Sequence, residues 1–175
     1  MKTNIDPITR WFHWFMASII LYATVAGYYM HFVVNSHPKI FNFLSTLNMS
    51  LATVAAPVFV ARWVWSYFRP SEGNVKNKTT YSAVVSLAHA ILYFLMFMVF
   101  ISGFFMLTDG YYLFWLIYMP NLITSVDING LFFTIHRFSC LALFSLVLVH
   151  ISAALYHHFV MKDKILLRML GKNLQ

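Results

Sequence analysis

Four long apolar stretches restrict the fold of this chain more than any other feature. They cover residues 11–34, 44–67, 81–107 and 131–160. Each has at least the roughly 20 residues that a helix needs to cross a bilayer. Because the stretches are continuous, they do not resemble the short alternating strands of an outer-membrane barrel. The sequence therefore predicts an all-α membrane protein, with residues 1–175 forming a single domain built as a four-transmembrane-helix bundle.

Composition and charge agree with this class and predict an orientation. Hydrophobic residues make up 61% of the chain and charged residues 10%, and the mean hydropathy is +0.71, outside the range of a soluble globular domain. Basic residues cluster before the first span, between the second and third, and after the fourth. The positive-inside rule therefore predicts that both termini and the connector from Arg69 to Thr80 are cytoplasmic. The net charge of +7 then reflects contact with membrane lipid headgroups and does not indicate nucleic-acid binding.

The histidines are the unusual polar residues of the spans. Seven of the eight lie within the apolar stretches or at their ends, where an ionisable group is costly unless it has a partner. His136 and His150 are 14 residues apart, which is about 21 Å of helical rise and within about 40° of one helix face. This spacing predicts two metal ligands, one near each membrane face, suited to two stacked haems. The single cysteine, Cys140, leaves no CxxCH motif, so any haem is held non-covalently.

Each haem needs a second axial ligand from a facing helix. The directions of the spans place His13 and His150 at one level, toward the cytoplasm. His136 lies near the outer face, and the first span offers His31 as its partner, whereas the second span has no histidine. The other interpretations are that these histidines form hydrogen bonds between helices, lie at the membrane interface, or relay protons. Transition-metal transport is less favoured, because the spans lack carboxylates beside the histidines.

Several sequence segments resemble the bacterial cytochrome b561 family, the small four-helix, di-haem, quinone-linked membrane cytochromes. They are "RWFHWFM" in the first span, "LAHAILYF" in the third, and "IHRF" followed by "LVLVHISAALYHHFVMKDKILLRML" in the fourth. The resemblance implies that His13 and His150 ligate the inner haem b. It also implies that His136 pairs with a second-span histidine at the outer haem. Asn48 occupies that position here, with Met49 beside it, so whether a second haem is bound is left open. If it is bound, His31 is the substitute ligand that pairs with His136.

The resemblance further implies a function in the bacterial inner membrane. Members exchange electrons between the quinone pool and a one-electron donor or acceptor on the periplasmic side, and one studied activity is superoxide oxidation with quinone reduction. The chain is thus expected to be a quinone-linked oxidoreductase. Arg10 and Arg62 are candidates to pair with haem propionates, because guanidinium binds carboxylate bidentately. His89 and His157 are candidates for the quinone site, because both lie in the cytoplasmic half.

Two other functions remain open on the sequence. One is a haem-bearing anchor subunit that relays electrons for a soluble dehydrogenase or hydrogenase. The other is a haem-free transport or assembly protein whose histidines only join helices. Purification of this chain in a complex with a larger dehydrogenase would favour the anchor subunit. A visible absorption spectrum of the purified protein distinguishes the haem-free protein from every function that requires haem.

Overall fold

The computed structural model describes residues 5–68 and 80–172, except for the side chains of residues 80–82. Its elements, in order, are α1 (Pro7–Val33), α2 (Pro38–Phe68), α3 (Thr80–Phe105), β1 (Tyr111–Leu113), β2 (Ile117–Met119), α4 (Val126–Phe159) and α5 (Ile165–Met169). Four of these helices are long and apolar enough to cross a membrane, which confirms the predicted bundle. The predicted connector lies outside the described residues apart from Thr80, where α3 begins.

The four long helices pack as two antiparallel pairs. Helix α1 packs along α2 and helix α3 along α4, while the contact between α2 and α3 is smaller. We call the end where α1 begins and α4 ends the terminal end, and the opposite end the hairpin end. A mid-bundle core holds the pairs together, with contributions from all four helices: Met16, Ala55, Phe59, Met96 and Leu143.

The helices extend beyond the apolar stretches because polar groups fix where they begin. Helix α1 starts four residues before the first stretch, where the Asp6 carboxylate accepts a hydrogen bond from Thr9 N at 3.0 Å and a second, short one from Thr9 Oγ1. Pro7 occupies the first turn, where a missing N–H costs nothing. Helix α4 begins at Val126, five residues before the fourth stretch, with Asp127 in its first turn favoured by the helix dipole.

A two-stranded hairpin lies between α3 and α4. The strands pair Tyr111 with Met119 and Leu113 with Ile117. Phe114 and Trp115 have φ of 46° and 62°, an arrangement typical of a type I′ hairpin turn and unfavourable for bulky side chains. Such a turn persists only where its surroundings hold it.

Helix α2 provides these surroundings. Ser50, which is fully buried, accepts a hydrogen bond from Phe114 N at 2.7 Å. Trp115 stacks on Phe43, with ring centres 5.2 Å apart. Farther along α2, Thr53 Oγ1 lies 2.6 Å from the Tyr111 hydroxyl. The hairpin is therefore docked on α2 and covers it at the hairpin end.

A second buried polar residue secures the same end. Asn129 is only 2% exposed, and its Nδ2 lies 2.8 Å from Phe105 O, 2.7 Å from Leu107 O and 3.2 Å from Ile123 O. The last carbonyls of a helix lack intrahelical partners, so this side chain satisfies the end of α3. Asn129 was not predicted from the sequence, because the fourth apolar stretch begins two residues after it.

Candidate functional site

His13 and His150 face each other between α1 and α4. Their ring centres are 6.3 Å apart, and the ring planes are inclined by 55°. Both residues are partly buried and lie in the half of the bundle toward the terminal end. The two helices run in opposite directions, which brings a residue near the start of α1 level with one near the end of α4. The structure thus places together the two histidines that the sequence paired.

The distance between these rings fits two imidazoles on opposite sides of one metal ion. A metal–imidazole bond is about 2.0 Å long, and the nitrogen lies about 1.1 Å from the ring centre for ring bonds of about 1.33 Å. Opposed imidazole ligands therefore have ring centres about 6 Å apart. Within the described residues, no cluster of three or more His, Cys, Asp or Glu side chains is placed to bind a metal ion. A haem suits this site because its macrocycle supplies the remaining four ligands.

Arg62 joins three helices at the level of His13. Its Nε donates to the Tyr93 hydroxyl of α3 at 3.0 Å, and its Nη1 donates to Phe12 O of α1 at 3.3 Å. Its Nη2 lies 3.4 Å from His13 Nδ1. The guanidinium also lies 5.5 Å from the centre of the Tyr93 ring. Arg62 therefore places a positive charge directly beside the histidine pair. Its link to Tyr93 was not predicted from the sequence.

His89 is adjacent to this pair on α3. Its ring centre lies 5.7 Å from that of His150, with the planes at 81°. His89 Nδ1 donates to Val85 O at 2.8 Å, and the residue is exposed at the bundle surface. A neutral imidazole that donates through Nδ1 has Nε2 as an acceptor. The sequence predicted the depth of His89 but not its contact with His150.

His157 is joined to a residue outside the span. Its Nδ1 lies 2.7 Å from Asp163 Oδ2, and Asp163 Oδ1 accepts from Ile165 N at 3.2 Å. His157 also lines a shallow groove of about 460 Å³ along α4, together with Tyr156 and Ser152. Asp163 was not predicted from the sequence, although "HHFVMKD" places it four residues after the end of α4.

His136 is in contact with α3. Its Nδ1 lies 3.1 Å from both Val99 O and Ser102 Oγ, and its Nε2 lies 3.4 Å from Cys140 Sγ one turn along α4. Gly103 provides the space, because a Cβ there would lie 3.2 Å from His136 Cε1. Both ring nitrogens thus have protein neighbours on α3 or α4.

The other residues considered for a second haem lie apart from these contacts. His31 is exposed in the last turn of α1, and Met49 is buried on α2. The Asn48 Oδ1 atom is buried and has no hydrogen-bond partner. An amide oxygen is not a usual axial ligand of haem iron. Among the described residues, no hydrogen bond or ring contact joins any of these three to His136.

Comparison with known protein families gives one match, to the family described as prokaryotic cytochrome b561, over residues 4–172. The matched range includes all four long helices, the hairpin and α5. A search of curated proteins finds no match. Because the family match extends over nearly the whole chain, this multi-pass membrane protein belongs to the prokaryotic cytochrome b561 family, whose members bind b-type haem and transfer electrons in the membrane.

Proposed function

We propose that this chain holds one haem b between His13 and His150 and carries electrons between a quinone and a one-electron partner on the opposite side of the bacterial inner membrane. The observation that carries the proposal is the 6.3 Å separation of the two imidazole ring centres, which leaves room for one iron that both residues would hold. The bound haem would supply an iron that is oxidised and reduced by one electron at a time.

The residues around the pair have distinct roles in this proposal. His13 and His150 would hold the haem iron, and the guanidinium of Arg62, beside His13, would offer a cation to a haem carboxylate. The mid-bundle core, which includes Met16 and Leu143, excludes water on the side toward the hairpin end. Arg10 lies in a separate groove, described below, so Arg62 is the preferred carboxylate partner.

We place the quinone next to His89. Reduction of a quinone to a quinol consumes two electrons and two protons, so the protein must deliver electrons singly and supply protons at the same place. The His89 ring contacts His150, which puts a quinone hydrogen-bonded to His89 close to the haem ligand. His157, bonded to Asp163, is a group that can exchange protons at the terminal end. The positive-inside rule predicts that this end is cytoplasmic.

Replacement of the two ligands tests the proposal. His13→Ala and His150→Ala should each remove the same haem, because bis-histidine ligation needs both rings. Pyridine haemochrome assays and reduced-minus-oxidised spectra of the purified variants provide the measurement. His37→Ala is the matched control, since His37 is an exposed histidine at the hairpin end. A full low-spin spectrum in either ligand variant would disprove the pairing.

A further inference from the structure

A further candidate site lies on another face of α1. A groove of about 770 Å³ runs between α1, α2 and α5, open to the surroundings of the bundle. Apart from Arg10, the α1 residues that line it are rotated by about 100° to 160° from His13, so the groove opens on another face of α1. The Trp14 ring in its wall lies 5.3 Å from the His13 ring, centre to centre. Its walls are mainly aromatic and aliphatic: Trp11, Trp14, Phe15, Leu51, Val54 and Met169.

The groove has the dimensions of a lipid chain that starts at a membrane surface. It extends along α1 from Pro7, at the terminal end, to Ile19, near the mid-bundle core. Twelve residues of helix correspond to a rise of about 18 Å, which is more than half of a bilayer's hydrocarbon core of about 30 Å. The groove therefore spans from the headgroup level to the interior of the membrane.

A single cation lies at the headgroup end of this groove. Arg10 lines the groove, and its Nε is buried without a hydrogen-bond partner. In the described part of the chain, the ion pair formed is that of His157 with Asp163, so no carboxylate neutralises Arg10. A guanidinium N–H that is buried without an acceptor is costly, and an anion in the groove would satisfy it.

The C-terminal segment packs closely against α1 and the Arg10 guanidinium. Trp14 Nε1 donates to Met169 O at 3.0 Å, which ties the end of α5 to α1. Gly171 has a φ of +79°, and a Cβ there would collide with Arg10 Nη1. Exposed lysines at the same end, Lys162, Lys164 and Lys172, add to the positive potential. A cation among apolar walls at a membrane surface is the arrangement that binds an anionic lipid headgroup.

We infer that this groove binds one anionic phospholipid, with the phosphate on Arg10 and an acyl chain along Trp14 and Val54. A neutral quinone would also fill the apolar part, but it would leave the guanidinium without a counter-charge. A zwitterionic lipid brings a phosphate together with its own cation, which reduces the attraction to Arg10.

Native mass spectrometry of the haem-loaded full chain, delipidated in detergent, tests this inference. The probes are phosphatidylglycerol and phosphatidylcholine with identical acyl chains. We expect the wild type to retain phosphatidylglycerol at least about 10-fold better, as one charge-assisted hydrogen-bonded contact implies. Arg10→Gln should abolish this preference, and Arg10→Lys should keep part of it because the charge remains without the planar fork. Gly171→Ala should weaken it by displacing the guanidinium.

The controls make each outcome decisive. Arg137→Gln removes an exposed arginine on α4, far from the groove, and should bind lipid as the wild type does. Equal retention of the two lipids by the wild type, or an unchanged preference in Arg10→Gln, would refute the site. Displacement of phosphatidylglycerol by added ubiquinone would make the groove a quinone site instead. Loss of haem from Arg10→Gln would assign Arg10 to the haem and also overturn the inference.

Discussion

His136→Ala is the substitution that most sharply tests how many haems the chain holds. His136 contacts α3 through Val99 O and Ser102 Oγ, and its ring fits against Gly103. A residue that joins α3 to α4 should affect stability and leave the haem between His13 and His150 in place. A residue that ligates an outer haem should instead remove that haem when it is replaced.

The expected loss of stability follows from the contacts of the ring. An interhelical hydrogen bond in a membrane bundle contributes about 0.6 kcal/mol on average and about 1.7 kcal/mol at most. Removal of the partly buried ring leaves a cavity between α3 and α4, and the two effects together should lower the free energy of unfolding by about 2–3 kcal/mol. Ser102 Oγ would keep its bond to Met98 O, so that hydroxyl would not be left without a partner.

The assay combines haem counting with unfolding. Pyridine haemochrome measured against protein concentration should give one haem per chain in both wild type and His136→Ala, and thermal unfolding in detergent should show the lower stability. His136→Phe preserves ring volume without the hydrogen bond, so it should lose less stability than His136→Ala. If the wild type held two haems and His136→Ala only one, the assignment of His136 as a helix-joining residue would be wrong. His31→Ala would then test whether His31 is the second ligand.

Three further predictions concern other parts of the molecule. Asn129→Ala should lower the free energy of unfolding by about 2 kcal/mol, because the carbonyls at the end of α3 lose their donor. A loss below about 0.5 kcal/mol in a detergent unfolding assay would contradict this role. Burial raises the pKa of Asp6, but hydrogen bonds from Thr9 outweigh this and hold the pKa of the carboxyl below its usual value. Asp6 should stabilise the protein by about 1 kcal/mol relative to Asp6→Ala. This difference should be present above about pH 4 and disappear as the pH falls through the lowered pKa. Asp6→Asn, which does not titrate, should cap α1 equally at pH 7 and pH 3. His89→Phe should slow quinone reduction or oxidation without changing the haem content, and stopped-flow kinetics that match the wild type would remove His89 from the quinone site.

The sequence by itself determined the four spans and the common level of His13 and His150. Span positions depend on continuous runs of apolar residues, which can be read locally. The level of a histidine depends only on its distance from a span end and on the rise per residue, so the antiparallel directions of α1 and α4 brought these two together. The ends of the helices were less predictable, since a capping side chain such as that of Asp6 fixes the start of a helix outside the apolar run.

The tertiary structure alone decided which side chains surround this pair. Arg62 and Tyr93 are 31 residues apart, Ser50 and Phe114 are 64 apart, and Trp14 and Met169 are 155 apart. No periodicity links such residues, because each contact depends on how two helices rotate and tilt against each other. For the same reason, the contacts of the His136 ring could not be predicted from the sequence. Its helix face was predictable, but only the packing of α4 on α3 at Gly103 determines which atoms its ring contacts.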